Sequence, residues 1–158
     1  MNVVQRAIMK KVAKGFAPMM RGMLAMSGAL SKAFYERYGK EALPIITEVM
    51  SKSGVESGKI MQQMMPVRDM KGFGEQFNMM GSMMEMGMET IELSDEAFHF
   101  KVSQCPFGIE GTSRELCEAL MTSDVKRVGT LLGQEMEAKI LKTVAAGDEK
   151  CEVILSKK

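Results

Sequence analysis

The stretch that decides the fold is Thr90-Ile91-Glu92-Leu93-Ser94-Asp95-Glu96-Ala97-Phe98-His99-Phe100-Lys101-Val102. Thr90 to Leu93 alternates polar and apolar residues. After the polar Ser94-Asp95-Glu96, the apolar Phe98, Phe100 and Val102 alternate with His99 and Lys101. A period of two puts every second side chain on one face of a strand, so two such runs around a short polar turn predict an antiparallel hairpin. A second hairpin is expected from residues 136–146 and 151–156 around Ala146-Gly147-Asp148-Glu149, with Cys151, Val153 and Leu155 on one face of the last strand.

Outward from the hairpins the period changes to that of helices. Thr112-Ser113-Arg114-Glu115 reads as a capping box opening one helix, and Ser123-Asp124 as the cap of another that runs to about Gly133. Upstream, Val4, Ile8 and Val12 mark an amphipathic helix over residues 2–16, ended by Gly15 and Pro18. A second helix spans Met19 to Tyr38 and stops at Gly39. A third starts near Lys40, with Pro44 in its first turn, and ends at Ser53-Gly54. A fourth covers about Glu56–Met65 and breaks at Pro66. Asp69 to Met84 is helix-like but punctuated by Gly72, Gly74 and Gly81. The expected architecture is α+β: four or five helices, then the order β-β-α-α-β-β, with the helices packed on a small antiparallel sheet. The 158 residues suit one domain, with a mainly helical half at 1–85 and a sheet-containing half at 86–158.

Composition excludes several classes. With 46% hydrophobic and 26% charged residues the chain is an ordinary globular protein, neither disordered nor collagenous. The longest clean apolar run, Gly22 to Leu30, is too short to span a bilayer, so no membrane insertion is expected. Residues 1–40 hold eight Lys/Arg against one acid, Glu36, which gives +7 there and leaves −6 for the rest of a chain of net charge +1. No aromatic or Arg-rich reading element accompanies that basic end, so no nucleic-acid partner is expected. It is read as a solvated face opposite the acidic half of its own fold or of a partner subunit. A homodimer through Ala25, Gly28 and Ala29 is one such arrangement, because small residues let helices approach closely.

Three groups of residues carry candidate chemistry. Ten of the 28 residues from 61 to 88 are Met. Thioethers are soft, flexible fillers, suited to an irregular core, to an apolar ligand cavity, or to Cu(I). With neighbouring aromatics, the candidate pocket residues are Phe73, Phe77, Met80, Met84, Phe98 and Phe100. The cysteines are Cys105, Cys117 and Cys151, an odd number with no CxxC pair. They are read as reduced thiols of a cytoplasmic protein, and as a candidate metal set if the sheet brings strand ends together. His99, the one histidine, is out of phase with Phe98 and Phe100, so a sheet-face role is expected of it. No phosphate loop, paired carboxylates or HExxH pattern is present.

Cys105-Pro106-Phe107, Glu115-Leu116-Cys117, Asp124 and Gly147-Asp148-Glu149-Lys150-Cys151 together resemble the L-2-amino-thiazoline-4-carboxylic acid hydrolase-like family and the 4-vinyl reductase (V4R, hydrocarbon-binding) domain. Tyr38-Gly39-Lys40-Glu41-Ala42 is similar to the helical half of these domains. The resemblance implies helices on an antiparallel sheet enclosing a cavity for a small, often apolar molecule, in a sensor or carrier. The hydrolase alternative makes Cys105 the catalytic nucleophile or a metal ligand, with Asp124 or Asp148 as acid/base. Some V4R sensors hold zinc through cysteines and a Glu. Cys105 and Cys151 match two such positions, but Ile140 and Thr143 stand where the Glu-x-x-Cys ligands belong, leaving Cys117 as the substitute.

Overall fold

A computed structural model describes residues 3–64 and 67–158, and the side chains among them other than those of residues 3–10 and 12–14. The helices α1 (Val3–Tyr38), α2 (Leu43–Met64) and α3 (Met70–Met83) come first. They are followed by strands β1 (Met88–Leu93) and β2 (Ala97–Val102), helix α4 (Arg114–Leu132), and strands β3 (Met136–Lys142) and β4 (Cys151–Lys157). The class is α+β as expected. The four strands form one antiparallel sheet in the order β1-β2-β4-β3, so the last strand lies between the two hairpins' outer members and joins them.

Four helix boundaries differ from the sequence reading. α1 runs through Gly15 and Pro18 without ending. A proline inside a helix forfeits one backbone hydrogen bond, but Ala, Met, Lys and Leu on both sides are strong helix formers. The side chains of the stripe Val4, Ile8 and Val12, and the break at Pro66, lie outside what is described. α1 ends where expected, at Tyr38, and Gly39 takes a left-handed φ of 61°. A 3-10 turn, Gly39–Ala42, then leads into α2.

α2 continues through Ser53-Gly54. The glycine is a seat for another helix: a methyl group at Gly54 would strike the Ser123 carbonyl, and one at Gly58 would lie 2.7 Å from the Arg127 carbonyl oxygen. These two positions set the close approach of α2 to α4. In α4 the expected two helices are one. Its N-cap is Ser113, one residue later than the capping box predicted, and its Oγ accepts from the Leu116 N–H at 3.1 Å. Ser123 lies mid-helix and turns its hydroxyl back onto the Leu120 carbonyl, 3.0 Å away, while Asp124 is paired along the same helix. The chain leaves the helix at Gly133 (φ 65°).

α3 keeps its full length despite its glycines, opened by Asp69, whose carboxylate accepts from the Gly72 N–H at 2.7 Å. It packs on the hairpin, and the inward face of the sheet supplies Phe98, Phe100, Val102, Val153 and Leu155 to the core. Gly28 of α1 is buried against the Phe107 backbone, so it belongs to an intramolecular contact and not to an outer face shared with Ala25 and Ala29. Part of the basic N-terminal end meets acids elsewhere in the chain: Arg21 pairs with Glu85 at 2.7 Å, and Lys40, just beyond α1, with Glu115 at 3.3 Å. Among the described residues no helix is long and apolar enough to cross a membrane.

Candidate functional site

The register of the sheet brings two of the three sulfurs together. β2 and β4 are antiparallel with Val102 opposite Cys151, so the chain leaving β2 carries Cys105 past the start of β4. The third, Cys117, comes from the first turns of α4 beneath them. All three line one small, mostly enclosed chamber of about 60 Å³, together with Phe100, Val102, Met121 and Val153.

A larger chamber of about 390 Å³ opens beside it between α1, α2, α3 and α4. Its wall is apolar, with Met20, Met23, Leu24, Met61, Met80 and Met84 among its residues. Phe77, Met86, Pro106, Phe107 and Asp124 belong to both chambers and form the partition between them. Phe77 is braced on three rings, with centroids 5.5 Å from Phe73, 5.9 Å from Phe98 and 5.3 Å from Phe100. Of the six candidate pocket residues, Phe77, Met80, Met84 and Phe100 therefore stand on chamber walls. Phe73 and Phe98 are buried in the solid core behind them, where they support Phe77.

The polar feature of the larger chamber is an ion pair. Arg127 donates to Asp124 Oδ1 at 2.9 Å and, through Nε, to Ser57 Oγ at 3.0 Å. Asp124 is only 9% exposed. Burial pushes its carboxyl pKa above the ordinary carboxylate value, and the neighbouring guanidinium opposes that rise without cancelling it. Asp124 entered the sequence reading as a helix cap and as one acid/base candidate; Arg127 did not enter it. The available signal was the i, i+3 spacing of Asp124 and Arg127 on a helix face otherwise built from Leu120, Met121 and Val128.

The thiols do not form a metal centre of the expected kind. Among the described residues no group of three or more His, Cys, Asp or Glu side chains is placed to hold a metal ion. Burial raises the Cys105 thiol despite N–H groups of Ile109 and Phe107 aimed at its sulfur, and burial raises Cys117 to about 11, so both are held as neutral thiols near pH 7. Cys151 Sγ donates to Thr143 Oγ1 at 3.9 Å, so the residue that replaces a ligand in the resembling sensors is a hydrogen-bond acceptor here. Among the described residues the cysteine set lacks the converging donors that a structural zinc site needs. His99 lies on the other face of the sheet, half-buried, with Nε2 2.9 Å from Glu152 Oε1. Asp148 caps the Thr143 amide at 2.8 Å and is occupied structurally.

A family model for L-2-amino-thiazoline-4-carboxylic acid hydrolase matches residues 19–155. The chain belongs to that family. The match takes in the Cys-Pro, Leu-Cys and Gly-Asp-x-x-Cys segments and both chambers. No curated protein matches the sequence significantly. Among solved structures, the chain is similar to the phenol-responsive sensory domain of the transcription activator PoxR, solved with phenol. That similarity has a TM-score of 0.61 at 15% identity, over 85% of this chain and 74% of the other. It is also similar to a trafficking protein particle complex subunit 3 from Naegleria fowleri covalently bound to palmitic acid. Here the TM-score is 0.58 at 14% identity, over 88% of this chain and 95% of the other. At such identities these likenesses speak for a shared fold.

Proposed function

We propose that this family member is a binding module for a small molecule with an apolar body and one polar head, acting as a sensor or carrier within a single 158-residue unit. The observation that carries the reading is the larger chamber: an apolar cavity of about 390 Å³ with one buried ion pair on its wall. Cavities of a few hundred Å³ with few, convergent polar groups are the usual form of small-molecule sites. The methionines let the wall adapt to its occupant, and Arg127 with Asp124 gives the head an orientation. Phenol and palmitic acid, the molecules held by two proteins of similar fold, both have this division into apolar body and polar head.

The hydrolase alternative takes Cys105 either as a nucleophile or as a ligand of a thiolate-bound metal. A nucleophilic cysteine is activated by a lowered pKa, and burial instead pushes this thiol above its ordinary value, which reduces its thiolate fraction. The one histidine, on the opposite sheet face, is not available as its base. The geometry favours binding over turnover.

Native mass spectrometry of freshly purified protein, followed by titration with decanoic acid and with phenol, tests the proposal. The expected result is a retained adduct, or saturable binding of at least one probe that is lost in Met84→Trp, which fills the larger chamber. Absence of any adduct together with no saturable binding of either probe overturns it.

A further inference from the structure

α1 has two faces, and its own fold uses one. Ala17, Leu24 and Gly28 point inward and are buried or half-buried, with Gly28 against Phe107. On the other side Phe16, Met19, Met23, Met26 and Leu30 are each between 54% and 66% exposed. Their spacing is 3, 4, 3, 4, and Ala33, also exposed, continues it. This is the a/d pattern of a heptad repeat, which forms a straight seam only when another helix lies along it.

We infer that this seam is the interface through which a second copy of the chain docks, α1 against α1. Four observations choose that occupant. The repeat of 3.5 residues is narrow and matches a helix of the same kind, and a two-fold axis at Met23 places each seam on itself. Gly22, Ala25 and Ala29, all exposed, flank the seam with small side chains that permit close approach. Between Phe16 and Ser31 the only charge is Arg21, which is paired with Glu85 of its own chain, so that span of the seam is apolar and suits a like apolar helix. Five side chains, each more than half exposed on residues of about 200 Å², bury about 1,000 Å² over two copies, which reaches the size of a specific interface.

The seam also touches the ligand chamber. Met23 stands on both, and Met20 beside it lines the chamber. A helix docked along the seam therefore covers one rim of that chamber, so the second copy contributes to enclosing its contents.

Sedimentation equilibrium of the full chain at up to about 100 μM, where weak self-association is populated by mass action, tests the inference. The expected result is a mass of twice the 17.5 kDa chain for the wild type. The double variant Met26→Glu/Leu30→Glu, whose positions lie outside the chamber, is expected to weaken association about 100-fold or more and to sediment as a monomer with unchanged far-ultraviolet circular dichroism. In Met23→Cys, mild oxidation should add a reducible dimer that the wild type, with its three native thiols, does not form. A wild-type monomer at that concentration, or a dimer untouched by the two glutamates, overturns the inference. So does a monomeric wild type that co-sediments with phosphatidylserine vesicles, which would make the seam a membrane face.

Discussion

Replacing Arg127 with Met isolates the role of the buried ion pair. Met keeps most of the aliphatic stem, so the loss is confined to the guanidinium and its bonds to Asp124 Oδ1 (2.9 Å) and Ser57 Oγ (3.0 Å). Removing one partner of a buried pair costs about 3–5 kcal/mol if the remaining charge stays, and the partial side-chain exposure of this pair, 22% for Arg127 and 13% for Asp124, brings that down. Asp124 has an escape, because it can take up a proton. Its folded pKa is already raised above 3.8, so its contribution to stability is fully present below that value and is lost as pH rises through the folded value. Without Arg127 the opposing influence disappears, the folded pKa climbs further, and the pH range of lost stability widens upward. The expected cost is about 2–3 kcal/mol near pH 8 and about 1 kcal/mol near pH 5. With a urea dependence of about 2 kcal/mol per M, the unfolding midpoint falls by about 1–1.5 M at the higher pH and about 0.5 M at the lower. Asp124→Asn added to Arg127→Met should recover about half the loss near pH 8 or more, since no buried charge is then stranded. An equal cost at both pH values, or a double variant no more stable than the single, would refute the reasoning.

Other expectations follow from the same geometry. Gly54→Ala and Gly58→Ala each push α2 from α4 and should lower stability by about 1–3 kcal/mol. Gly22→Ala, with open space around it, should raise stability by about 0.5–1 kcal/mol; thermal unfolding compares the three. Alkylation of Cys117 in the folded protein should be slow at neutral pH and keep accelerating toward about pH 11, followed by mass spectrometry of peptides; a plateau near pH 9 would show that its thiol is not buried as described.

The two hairpins were legible because alternation is a local signal: Phe98, Phe100 and Val102 declare their face without reference to distant residues. The order of the sheet was not, since β4 pairs with β2 across 48 intervening residues (103–150). The nearness of Cys105 and Cys151 is a consequence of that pairing, which the resemblance anticipated but the spacing did not contain. The helix errors share one cause. Gly54 reads as a stop in a sequence because it lacks a side chain, and the fold uses the same lack to seat α2 on α4. Ser123 and Asp124 read as a cap because both residue types favour caps, yet one bonds back within the helix and the other is held by Arg127. Phe73 and Phe98 share the aromatic character of a pocket residue, and composition cannot tell a wall from the masonry behind it.

The partition of Phe77, Met86, Pro106, Phe107 and Asp124 makes the two chambers unequal in what they admit. The outer room, about 390 Å³, has several times the volume of the inner one, about 60 Å³, so the body of a small-molecule guest matches the outer room. On the proposed binding role, whatever separates Phe77, Phe107 and Asp124 sets whether a guest in the outer room meets Cys105, Cys117 and Cys151 at all.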